Sequence, residues 1–339
     1  MAERVLSQRE LNRATLARQL LLKRARLPAV SALERVAGLQ SQLAATAYVG
    51  LWTRLEDFRP AALDRALLAG RAARGLLMRG TVHTASAADF ARFGAALSGE
   101  LPGWVTPEMA EIATRVAGPV QEFCSVPRTR EELMGWLERE HGVENDGSNG
   151  IWYAVRIQAR LAHAPESSRW RAPIHNPKFV ALASEDVDAE GARAELVRRY
   201  LAAFGPATRA EITRWSGLYT RRFSHLLNGL RTMRDDRGRT LLDLPRAPIP
   251  AADTHAPVRF LPKFDNVLID RERILPGEYL KVVVRKNADV QPTFTVDGYV
   301  AGVWRAEKGR VVVEPFAPLP RQAKLELEEE RSRLEAWLR

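Results

Sequence analysis

The 339-residue sequence holds one cysteine, Cys124, so an intrachain disulfide and a cysteine-based zinc site are both excluded. Its six histidines, His83, His141, His163, His175, His225 and His255, stand singly, and no HExxH pair occurs. Neither a GxGxxG fingerprint nor a phosphate loop is present, which removes support for dinucleotide or nucleoside-triphosphate chemistry. No metal and no cofactor is therefore expected. Long hydrophobic runs are also missing: apolar stretches are broken by Arg, Asp or Gly short of membrane-spanning length, and Met1–Leu6 has no signal-peptide run. These absences lead to the expectation of a cytoplasmic protein with no membrane partner; no obligate protein partner is expected either.

What is there is globular in composition, 46% hydrophobic and 27% charged, and long enough for two to four modules. Lys and Arg number 51 against 41 Asp and Glu, a formal excess of +10. Such an excess points to a polyanionic or acidic partner and carries no information about fold.

Hydrophobic spacing predicts a helix from Ser7 to about Ala25, with Ser7 and Glu10 as a capping box, and a second from Pro28 or Ala29 towards Gln40. A third is expected over Pro60–Leu68, and Gly75–Thr84 reads as a strand or tight turn between helices. Further on, Thr129 with Glu132 and Thr208 with Glu211 repeat the capping box ahead of apolar helical spacing. The turn pairs Asp146-Gly147 and Asn149-Gly150 lie in a linker that precedes a helix over Ile151–Leu161. Pro165–Leu182 reads as an extended, two-stranded wing. After the third box come an expected helix over Thr220–Leu230 and a hairpin over Met233–Leu244. Short capped helix, turn, helix and hairpin are the ingredients of a winged helix, and they occur twice. From Val258 onward strand-like segments dominate, including Val282–Val284 and a meander turning at Asp297-Gly298 and Lys308-Gly309, closed by a helix over Leu319–Leu338. The expected fold class is α+β: tandem winged-helix modules over 1–120, 121–190 and 191–250, and a carboxy-terminal β-rich domain with a terminal helix over 251–339.

The segment Leu39-Gln40-Ser41-Gln42-Leu43 stands out. In a helix its two glutamines, two residues apart, would not share a face, and glutamine is an ordinary helix-surface residue. The stretch Val36–Gln42 nevertheless resembles the opening signature of the winged-helix DNA glycosylase family typified by the azinomycin-resistance glycosylase. Leu77–His83, Tyr200–Thr208 with Trp215–Leu218, Phe260–Asn266, Pro292–Phe294, Val296–Gly298 and Gly302–Arg305 resemble later signatures of that family, in family order.

The resemblance implies tandem winged helices around a concave channel for double-stranded DNA, and excision of alkylated purines, bulky or crosslinked adducts included. It assigns the catalytic role to a glutamine–aliphatic–glutamine (or aspartate) motif, matched here by Gln40 and Gln42, with Ser41 departing from the aliphatic middle position. It also favours Arg79, Thr81 and His83 near the channel, as phosphate contact, anchor and hydrogen-bond donor. Lys263 is expected on phosphate, with Asp265 bracing a nearby cation. Arg169, Arg171, Arg234, Arg237 and Arg239 in the wings are candidate backbone contacts, which position DNA without reading sequence. A noncatalytic winged-helix DNA-binding protein is the alternative reading; RNA or an acidic protein is a third class of partner for the basic surface.

Overall fold

The computed structural model describes residues 4–144, 149–172, 175–182, 187–269 and 271–339; the Asp146-Gly147 turn lies outside them. The chain opens with β1 (Val5–Leu6) and α1 (Gln8–Arg18), the latter capped by the Ser7–Glu10 box. The expected longer helix stops at Arg18 because Leu20 adopts a left-handed backbone.

One order of elements, helix–strand–helix–helix–strand–strand, then recurs. In the first unit it is α2 (Ala29–Arg35), β2 (Leu39–Gln40), α3 (Ala44–Arg54), α4 (Pro60–Leu68), β3 (Ala72–Leu76) and β4 (Val82–Ser86), followed by α5 (Ala87–Ala96). The second unit comprises α6 (Pro107–Phe123), β5 (Arg128–Thr129), α7 (Arg130–His141), α8 (Gly150–Gln158), β6 (Leu161–His163) and β7 (Lys178–Ala181). In the third, α9 (Ala189–Phe204) leads to a single bridge between Ala207 and Leu242, then α10 (Arg209–Ser216), β8 (Arg231–Asp235) and β9 (Thr240–Asp243). Here the expected helix over Thr220–Leu230 is replaced by two 3-10 turns, Thr220–Arg222 and Ser224–Leu226.

Edge-to-edge pairing of β3 with β6 joins the first two units in one six-stranded sheet of order β2-β4-β3-β6-β7-β5. A side chain at Gly75 would strike Phe90 at 2.7 Å and the Leu161 carbonyl at 3.0 Å, so glycine permits this junction. The boundary expected near residue 120 falls inside α6, whose Ala113, Val116 and Val120 share a core with Leu133 and Leu137 of α7. Strand β1 pairs in parallel with β8, so the amino terminus completes the third unit's sheet, in the order β1-β8-β9.

The last part holds β10 (Arg259–Leu261), α11 (Leu280–Val283), β11 (Thr293–Val296), β12 (Tyr299–Glu307), β13 (Arg310–Pro315) and α12 (Arg321–Leu338). Strands β10 to β13 form an antiparallel meander. Val282–Val284, expected as a strand, is mostly in α11 instead; three valines mimic strand composition, whereas a short helix buries only Val283 of them deeply. Trp304 is buried with its indole N–H donated to the Leu261 carbonyl, and α12 packs Leu327 and Leu334 into the same core. The Asp297-Gly298 turn docks on α1, where Asn12 donates to the Gly298 carbonyl (2.8 Å) and Arg13 to that of Asp297 (3.0 Å). No helix among the described residues is long and apolar enough to cross a membrane.

Candidate active site

The segment carrying the two glutamines is a strand end, which corrects the helical expectation. Helix α2 ends at Arg35 because Ala37 (φ 58°) and Gly38 (φ 78°) both turn left-handed, and the Gly38 N–H closes back on the Leu33 carbonyl at 2.8 Å. Leu39 and Gln40 then pair antiparallel with Thr84 and His83, and the Ser41 N–H continues the ladder to the Val82 carbonyl (2.7 Å). Along a strand alternate residues share a face. Ser41 therefore points inward: it is fully buried, and its hydroxyl meets that of Thr84 at 2.8 Å. Where the related motif has an aliphatic residue, this chain has a hydroxyl whose hydrogen-bonding need is met by a neighbouring strand. Gln40 and Gln42 on either side of it are half-buried.

The backbone here is held at successive atoms. Strand β2 is an edge, and the Gln40 N–H that a further strand would accept donates instead to Asn266 Oδ1 (2.8 Å). The Asn266 amide in turn donates to the Gly38 carbonyl (2.9 Å). From the other side Arg74 donates to the Ser41 carbonyl (2.9 Å) and the Gln42 carbonyl (2.8 Å), fixing the bend that follows. Burial lowers the Arg74 pKa to about 10, and the guanidinium remains charged near neutrality.

Beyond that bend the two carboxamides open on different cavities. Gln40 lines one of about 580 Å³ with Arg79, Thr81, Arg214, Phe264 and Glu272, among others. Gln42 lines one of about 290 Å³ with Arg74, His163, Ser167 and Arg171. Among the described residues the Gln42 carboxamide has no hydrogen-bond partner, whereas Gln40 Oε1 accepts from Arg79 Nη2 at 3.0 Å.

Arg79 sits at the apex of the β3–β4 hairpin with a left-handed backbone (φ 59°), and its other Nη donates to the Trp215 carbonyl of α10. Gly217, which ends α10 at φ 82°, lies so close that a Cβ would come within 3.1 Å of the Arg79 nitrogen. Thr81 is half-buried and donates to the Met78 carbonyl (3.0 Å). His83 corrects the expectation of a donor to DNA. Its ring is wholly buried, Nδ1 lies 2.9 Å from the Thr81 carbonyl, and Nε2 has no partner; burial first, and Arg79 second, lower its pKa to about 3.

Both oxygens of Asp265 accept from Arg54 at 2.8 Å, with both side chains fully buried. Lys263 pairs with Asp289 at 2.6 Å. In the third unit's hairpin Arg237 pairs with Glu272 (3.0 Å), Arg239 with Asp235 (2.6 Å) and Glu272 (3.3 Å), and Arg234 donates to the Gly238 carbonyl (3.1 Å). Arg171 donates to the Leu338 carbonyl (3.3 Å), and Arg169 is exposed nearby. Neither Arg74 nor Asn266 is among the site residues expected from the sequence. An arginine inside the apolar run Ala72-Ala73-Arg74-Gly75-Leu76-Leu77 was the available signal for the first; Asn266 had none. Among the described residues no group of His, Cys, Asp and Glu is placed to hold a metal ion.

Comparison with known proteins agrees with this architecture. The chain is 25% identical over 329 residues to the interstrand DNA cross-link repair glycosylase of Streptomyces sahachiroi, covering 88% of each protein. Its α+β fold matches the solved DNA glycosylase AlkZ of Streptomyces sahachiroi with a TM-score of 0.82 at 22% identity, over 98% of this chain and 97% of that one. The class defined is that of the DNA glycosylases. More particularly, the model of the AlkZ-like DNA glycosylases matches residues 33–337, and the chain belongs to that family.

Proposed function

We propose that this protein hydrolyses the N-glycosidic bond of N-alkylated purines in double-stranded DNA, bulky and crosslinked adducts included, with Gln42 positioning the attacking water and Gln40, which lines a separate cavity, contacting the sugar–phosphate. Three winged-helix modules and the carboxy-terminal β-rich domain would form the DNA channel, and the recurring element order supports that reading. One observation carries the catalytic assignment. A strand end whose middle residue is buried presents two half-buried carboxamides, and among the described residues that of Gln42 has no protein partner.

The surrounding chemistry fits a lesion that leaves by itself. An alkylated purine with a positive ring needs no proton to depart, so a carboxamide oxygen that orients water supplies the missing help. The titratable groups around the glutamines are poorly suited to general catalysis. Asp265 is locked to Arg54, burial holds His163 neutral with a pKa well below its usual value, and the exposed Glu272 is engaged by Arg237 and Arg239.

Chromatography of bases released from methylated or crosslinked duplex tests the proposal. The wild type should free the modified purine and leave an abasic site. Gln42→Ala should slow release about 10²-fold, as misplacement of a reacting group does, with DNA affinity little changed. Tight, sequence-selective binding with no excision across varied adducts would make the protein a DNA-binding regulator instead.

A further inference from the structure

The two glutamines are not equivalent. Gln40 Oε1 is already taken: Arg79, itself anchored to the Trp215 carbonyl, donates to it at 3.0 Å. A guanidinium has only donors, so the amide must turn its oxygen towards Arg79 and its NH2 away. Among the described residues Gln40 Nε2 has no protein acceptor, and Gln40 lines the 580 Å³ cavity. Among the described residues Gln42 has no partner at either end of its carboxamide.

We infer, building on the proposed excision reaction, that Arg79 is a positioning residue that makes Gln40 a dedicated hydrogen-bond donor. Gln40 Nε2 donates to an acceptor oxygen of the lesion's sugar–phosphate, and the acceptor function towards water falls to Gln42 alone. Arg79 then acts through Gln40, in place of the phosphate contact expected from the sequence. Its setting favours a fixed part. The left-handed backbone, the Gly217 approach and the Trp215 carbonyl hold the guanidinium between the first and third units, next to the Gln40 amide.

Isosteric variants that each add the same negative charge separate the two amides. Gln40→Glu keeps the shape and the bond from Arg79 but has no NH2 to donate; Gln42→Glu keeps an acceptor. Single-turnover excision from a duplex carrying one N7-methylguanine, with Kd measured at several salt concentrations, should show Gln40→Glu slowed about 10²-fold and Gln42→Glu within about fivefold of wild type. Arg79→Ala should slow the step about tenfold while leaving Kd and its salt dependence unchanged. A phosphate contact would behave differently, weakening binding and lowering the slope of log K against log[salt] by about one.

Wild-type excision by Gln40→Glu, or an Arg79→Ala loss confined to Kd and its slope, overturns the inference while leaving the reaction intact. Wild-type excision by both Gln40→Ala and Gln42→Ala removes the proposed catalytic site itself, so the two failures are distinguishable.

Discussion

Asn266 offers the most direct test of how the strand end carrying Gln40 is held. Its side chain is fully buried, accepts from the Gln40 N–H and donates to the Gly38 carbonyl, so one amide covers the open edge of β2. Asn266→Ala leaves both backbone groups without partners. Each unsatisfied buried group costs about 1–3 kcal/mol, and the expected loss is about 2–4 kcal/mol because the exposed side of the strand end recovers part of it from water. The consequence for activity should be larger than for binding. Freed from Asn266, Gln40 can shift by a fraction of an ångström to an ångström, a displacement that costs up to about 10² in rate when it misplaces a reacting group. Urea denaturation reads the first effect, and single-turnover excision with a parallel Kd reads the second. Asn266→Asp keeps an acceptor for the Gln40 N–H but sets a carboxylate against the Gly38 carbonyl, and should fall between alanine and wild type. A change below about 0.5 kcal/mol with unaltered excision in Asn266→Ala would refute the reasoning.

Asp265→Asn strips the countercharge from the buried Arg54 and should cost about 3–5 kcal/mol by denaturation, far more than loss of a surface pair. Stability should also fall on mild acidification. His83, with a folded-state pKa near 3, binds fewer protons than the unfolded chain between about pH 3 and 6.5. Its contribution is complete above about pH 6.5 and lost at up to about 1.4 kcal/mol per pH unit below it; His163, also lowered by burial, acts in the same direction. Denaturation at pH 7.5 and 5.5 should show this slope, and His83→Gln should flatten it; an unchanged slope would mean the ring is not held neutral. Arg209, Arg285 and Lys286 are exposed and have no carboxylate partner among the described residues. Alanine at Arg209 and Arg285 together should lower the salt slope of DNA binding by about two, while alanine at Arg237 and Arg239 lowers it less, a ranking that filter binding across salt concentrations checks.

Local rules made much of this fold legible. Ser7, Thr129 and Thr208 each cap a helix with the glutamate three residues on, because that device is written within four residues. The misreadings arose where apolar spacing continued past a backbone break. Val36, Ala37 and Leu39 extend the helical period of α2, yet successive left-handed residues at 37 and 38 end it, and only Gly38 signalled the change. The same error hid the reason for the two-residue spacing of the glutamines, which becomes sensible once Ser41 lies on a strand. Asn266 was beyond reach for another reason: its partners are 226 and 228 residues away, and no local pattern encodes a side chain that completes a distant sheet edge.

Charge illustrates the difference between composition and placement. The excess of +10 points to a polyanionic or acidic partner, but several arginines serve the interior. Arg18 pairs with Asp243, Arg24 with Glu330, Arg54 with Asp265 and Arg273 with Glu211, all buried and each linking segments far apart in the chain. Such pairs add little net stability over an apolar packing of the same volume, yet breaking one is costly, so they restrict the units to one mutual arrangement. Each pair removes one charge of each sign, so the excess survives on the remaining cations. The third unit's hairpin illustrates why position in a wing is not enough: Glu272 and Asp235 already engage Arg237 and Arg239 there. A phosphate must displace a carboxylate to reach those arginines, whereas at Arg209, Arg285 or Lys286 it displaces only water and counterions. The cations that draw DNA in are therefore to be sought by what each one already touches, and sequence position ranks them poorly.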